Sequence, residues 1–191
     1  MARYKILSDE AHTLVIDGAD GSQHTLHRIE AVTTFRKWES IGNPYTVNAG
    51  EIGGWIESED NLLQNGTAWV HENGKVYGSA KLFEDSRITG DAEVYGNAEV
   101  FGVTTIADHA QVYENAKISD TAYVAGNAQV SGDTWMFEHS SAIDTAIVSG
   151  DTWLFGNARI EGNANISGTN RIFGNVTIGN NSNLTGTNTI L

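Results

Sequence analysis

From Val70 to Ile190, every sixth residue is aliphatic, without one slip in phase. Nineteen of these 21 positions are Val, Ile or Leu, and the exceptions are Met136 and Ala142. A fixed short period means like units stacked on their neighbours, so the chain must wind into a solenoid. Two residues before each aliphatic sits a small one, as at Ala68, Gly74, Ala80, Ser86, Ala92 and Ala98. Residues two apart on a strand share a face, so both point inward. Two residues after each aliphatic comes Gly, Asp, Glu or Asn. Gly and Asn tolerate positive φ, which a sharp corner between short strands requires. Each hexapeptide is therefore a short strand plus a corner.

Three such flats close a triangular coil of 18 residues. The pattern resembles the hexapeptide-repeat, left-handed parallel β-helix family, and the left hand is what that resemblance implies. One departure is visible: the family places Gly, Ala, Glu or Asp directly after the aliphatic, whereas here Gly or an acid falls one residue later. The expected fold is all-β, a left-handed parallel β-helix of about seven triangular coils with a small N-terminal β module as its cap. At strand spacing, ~4.8 Å per coil, the rod is about 30 Å long.

The expected division is 1–60 for the cap module and 61–191 for the solenoid. Tyr4 to Leu7, Thr13 to Asp17 and Thr25 to Phe35 read as strands, with Gly18-Ala19-Asp20-Gly21 as a hairpin connection. A looser stretch holding Asn43-Pro44 and Gly50 follows. A solenoid's open first coil needs a cover, and the module supplies it. Three segments carry a narrower resemblance: Arg3-Tyr4-Lys5-Ile6-Leu7-Ser8, Arg28 to Phe35, and Gly53-Gly54-Trp55-Ile56 leading to Asn61-Leu62 and Gln64. They are similar to the YdcK-like proteins of bacteria and their phages. That family sets a small β module before hexapeptide coils, and its acyltransferase label rests on its fold.

The net charge of −13 argues against nucleic acid held directly in a basic groove. The chain has no cysteine, so thiolate metal sites are excluded; no metal is expected. No signal-peptide pattern or membrane-length apolar run is present, so no membrane contact is expected and the expected compartment is cytoplasmic, the host cytoplasm if the chain is phage-encoded. Corner acids such as Asp85, Asp108, Asp120 and Asp144 read as solubilising charge on a rod.

Candidate sites emerge from reading every eighteenth residue. One outward column carries Tyr77, Tyr95 and Tyr113, a candidate binding ladder. A second carries Phe83, Phe101, Phe137, Phe155 and Phe173, with Trp135 and Trp153 beside them. An outward apolar strip of this size is one that a monomer should not leave wet. It predicts an interface, with a homo-oligomer (dimer or trimer) and a protein partner as expected occupants. His109 and His139 are the candidate general bases if the chain is an acyltransferase using acetyl-CoA or another acyl-CoA. Each follows a carboxylate, but neighbours on a strand point opposite ways. The unbroken phase releases no loop to cover pantetheine, so a non-catalytic binding or scaffold role without cofactor is favoured. Carbohydrate binding on the Tyr and Trp platforms, and imitation of nucleic-acid charge by an inhibitor, are the other readings.

Overall fold

The computed structural model describes residues 2–18, 21–37 and 45–191. Ala19-Asp20 of the expected hairpin connection and Asn43-Pro44 lie outside the described residues. Strands β1 (Tyr4–Leu7), β2 (Thr13–Asp17), β3 (Gln23–Ala31), β4 (Phe35–Lys37) and β5 (Tyr45–Val47) precede the repeats. They lead into β6 (Ile52–Ile56), β7 (Leu62–Gly66), β8 (Trp69–Val70) and β9 (Lys75–Val76). From β6 onward the strands stack in parallel on three flats, each strand pairing with its counterpart one coil away. The result is a β-solenoid of the kind the period demands, consistent with a left-handed β-helix.

The inward positions are filled as the hexad spacing requires. Val76, Val94, Val112, Val130, Val148 and Ile166 form the core column of the first flat, all with no exposed surface. Leu82 through Ile172 do the same on the second flat, and Val70 through Ile160 on the third. The small residues two places earlier are buried where each strand begins, as at Ala92, Ala98 and Ala110. The two exceptions to the aliphatic rule, Met136 and Ala142, are successive inward residues of a single coil. A long, unbranched side chain and a short one thus share one triangular cross-section.

The corners hold the left-handed conformation without exception from Glu72 to Gly186, every sixth residue having positive φ. Glycine is required at several of them by close approach. A Cβ on Gly90 would lie 2.8 Å from the Asp108 carbonyl oxygen of the next coil. Eight corners nonetheless carry Glu, Asp or Asn, where positive φ costs about 1–2 kcal/mol.

The solenoid begins two strands earlier than the unbroken phase indicates. Ile56 pairs with Val76 and Leu62 with Leu82, each 20 residues on, whereas Val70 pairs with Ile88, 18 residues on. Two extra residues between Leu62 and Val70 are absorbed as a register shift opposite Leu82 and Glu84. They hide the first coil from a six-residue count, so about eight turns are present where about seven were expected. The Gly53-Gly54 pair belongs to this coil: a Cβ on Gly53 would meet the Trp69 ring at 2.7 Å.

The cap grows directly out of that first coil. β6 pairs in parallel with β9 on one edge and antiparallel with β3 on the other. β1 and β2 lie end to end along the far edge of β3, Tyr4 to Leu7 opposite Ala31 to Arg28 and Thr13 to Asp17 opposite His27 to Gln23. Over the open core, Trp69 is fully buried with Tyr4 and Phe35 packed edge-on to it at 6.4 and 5.6 Å. The Tyr4 hydroxyl donates to the Leu62 carbonyl at 2.5 Å, and burial pushes its pKa up to about 12. Arg3 stacks over Phe35 and donates to the carbonyls of Leu63 and Gly66, closing the corner that the insertion opens.

Candidate functional site

On the first flat, Tyr77, Tyr95 and Tyr113 stack with ring centroids 5.1 and 5.0 Å apart. Their outer side is not open. Leu26 of β3 lies on them, fully buried, with Leu14, Ile16 and Trp55 around it, leaving Tyr77 2% and Tyr95 8% exposed. The Tyr ladder is thus the seat of the cap hairpin. A polar staple secures it: His24 on β3, 8% exposed, has Nδ1 3.0 Å from both Glu57 carboxylate oxygens. Its Nε2 is 2.8 Å from Ser22 Oγ, its ring packs on Tyr77, and Glu57 also accepts the Gly78 N–H at 2.7 Å. A surface position is what the strand pattern suggests for His24; burial follows from the fold-back of β3 onto Tyr77.

His109 and His139 occupy exposed corners on different edges, following the third and second flats respectively. His109 Nδ1 faces Asp91 at 3.6 Å, one coil earlier, rather than its neighbour Asp108. His139 Nδ1 lies 2.6 Å from Thr121 Oγ1. The preceding acids are otherwise engaged: Asp108 accepts the Gly126 N–H at 3.0 Å and Glu138 the Gly156 N–H at 2.8 Å. The same bond recurs at Glu72, Glu84, Glu114, Asp120 and Asp144, each carboxylate accepting the backbone N–H of the residue one coil on. These acids therefore tie successive coils together. Among the described residues, no group of three or more His, Cys, Asp or Glu side chains converges as metal ligands. No helix among them is long and apolar enough to cross a membrane.

The second flat carries the Phe and Trp columns. Phe83 stacks on Phe101 at 4.9 Å, and Phe137, Phe155 and Phe173 stack in turn at 4.8 Å each. All five rings are half-buried, since each covers its neighbours' faces. Between Phe101 and Phe137 the column position is Ser119, and the ladder is broken there. Trp135, from the adjacent column, donates its indole N–H to Ser119 Oγ at 3.2 Å and packs against Phe137 at 4.9 Å. Trp153 meets Trp135 edge to face at 5.5 Å, and Arg171 lies 4.5 Å over its ring.

A cleft of about 380 Å³ opens beside this interruption, lined by Phe101, Asn115, Lys117, Asp133, Thr134, Trp135 and Trp153. Trp153 is 37% exposed, more than any other Phe, Tyr or Trp side chain among the described residues. Asn115, Lys117 and Asp133 are not marked by the repeat as functional. The signal that finds them is the eighteen-residue column itself, since Asn97, Asn115 and Asp133 form one hydrogen-bonded row at 3.1 and 3.0 Å. Compared with models of known protein families and with curated proteins, the chain matches none.

Proposed function

We propose that the chain is a non-catalytic binding scaffold whose recognition face is the second flat, centred on Trp135 and Trp153. The interrupted ladder carries this reading. Elsewhere along the rod the stacked Phe rings cover one another, Tyr77 and Tyr95 lie under the cap, and seven corner carboxylates are spent on backbone N–H groups. At Ser119 the regular pattern gives way to a recess with apolar walls and polar rims, the composition of a small recognition site. The two histidines that an acyl transfer would call on stand apart on separate edges, each beside a different polar group.

The test is isothermal titration with acetyl-CoA beside light scattering of the wild type and Trp153→Asp. No saturable heat with acetyl-CoA is expected. Saturable binding that His109→Ala or His139→Ala abolishes would replace the scaffold with an acyltransferase. A smaller mass for Trp153→Asp would identify a second copy as one occupant of the face.

A further inference from the structure

The cleft has three chemical properties that together select a class of ligand. Its walls include the rings of Phe101, Trp135 and Trp153. Its rim is a row of planar hydrogen-bonding groups, Asn115 donating to Asp133 at 3.0 Å, with Lys117 beside them. Its nearby cations are paired, Lys117 with Glu99 at 3.0 Å and Arg171 with Asp151 at 3.3 Å, while Asp133 accepts from the neutral Asn115 amide. The patch therefore offers no unpaired cation to a phosphate or carboxylate, and its Asp133 carboxylate is an acceptor for hydroxyl groups.

We propose, building on the scaffold reading, that the cleft binds a neutral sugar ring of an oligosaccharide. A pyranose has one face of C–H groups, whose partial positive charge suits the negative face of an indole, and a rim of hydroxyls that both donate and accept. The cleft offers both kinds of surface, ring walls beside an amide–carboxylate row. Its volume of about 380 Å³ lies in the range of small-ligand sites. The wall is rigid because Trp135 is fixed by Ser119 and Phe137, and Trp153 by Arg171. A preformed wall loses little freedom on binding.

The probes are cellotriose, maltotriose and triacetylchitotriose, titrated against the full chain and followed by tryptophan fluorescence and by protein NMR. Saturable change with at least one is expected. Trp153→Ala should weaken it about tenfold, the loss of one stacking surface. Lys117→Ala, at a half-exposed side chain, should weaken it severalfold without disturbing the fold. Ile147→Ala, exposed on the first flat, should leave affinity unchanged. Absence of binding by all three sugars overturns the sugar assignment. If Trp153→Ala then also lowers the mass by light scattering, the face is a protein contact and the scaffold reading stands; if mass is unchanged too, both fall. A lysine- or arginine-rich peptide that binds where the sugars do not would equally overturn the assignment, replacing the sugar by a basic partner.

Discussion

At the scale of single residues, two kinds of position depart from the repeat's rule, and each has a compensation on its own rung or column. Met136 and Ala142 share one coil, so neither substitution to the consensus should be neutral alone. Met136→Val leaves a void and Ala142→Val adds volume to a filled section; each is expected to cost about 1–3 kcal/mol. The double variant should recover at least half of the summed loss, read as a coupling in urea unfolding. Additive losses would mean that the two side chains do not share space. The corner acids are the second kind. Glu114 holds φ +59° and accepts the Gly132 N–H at 2.7 Å. Glu114→Ala keeps the strained conformation and discards the acceptor, and should lower stability by about 1–3 kcal/mol. Glu114→Gly relieves the strain while losing the same bond, so its loss should be smaller. Equal losses would show that the backbone conformation contributes nothing there.

At the scale of elements, the cap and first coil act as a unit through a few buried polar groups. Tyr4 is un-ionised in its site, with a pKa raised to about 12 by burial. The unfolded value is near 10, so the contribution is fully present below pH 10 and is lost as pH rises towards 12. Alkaline unfolding should thus begin in β1, where hydrogen exchange of the Tyr4–Leu7 amides accelerates above pH 10. Tyr4→Phe removes that dependence along with the bond to Leu62. A Tyr4→Phe profile as steep as the wild type's would place the alkaline transition elsewhere. What the sequence made legible follows from periodicity. The inward residues from Val70 onward, the corners and the aromatic columns repeat every six or eighteen positions, so each announces itself many times. The first coil did not, because two extra residues before Val70 shift Ile56 and Leu62 out of phase. Nor did the burial of Tyr77 and Tyr95, since Leu26 meets them once, from a strand about fifty to seventy residues away, with no repeated mark. His109 shows the remaining difficulty: its partner Asp91 is a column neighbour, while adjacency in the chain pointed to Asp108. Of the candidate cleft, the Trp pair was legible and the polar rim was not, because Asn115 and Asp133 look like any other corner residue until Asn97 is placed beneath them.

At the scale of the whole molecule, two periods are superimposed, and they are separable by deletion. The core obeys six, since any hexapeptide can follow any other without disturbing the inward aliphatics. The stacked Phe and Tyr rings, the corner carboxylate bonds and the amide rows obey eighteen, since each joins a residue to its counterpart one coil on. Excising residues 103–120 removes one full coil, Ser119 included, and brings Phe101 directly beneath Phe137. The Phe ladder then runs unbroken, and the recess beside Trp135 should close. Excising only 103–108 keeps the core phase and twelve more residues, but sets Phe101 beneath Ala125 and Tyr95 beneath Ser119. In a stack whose stability is a sum of repeat and nearest-neighbour terms, the shorter rod loses one repeat while the longer loses matched contacts at a coil interface. Both should fold, with the 103–120 deletion melting at the higher temperature by circular dichroism and losing any ligand that the cleft holds. The opposite order of melting would show that the aliphatic core alone sets the stability of the rod, and that the aromatic columns are there for what they present rather than for what they hold together.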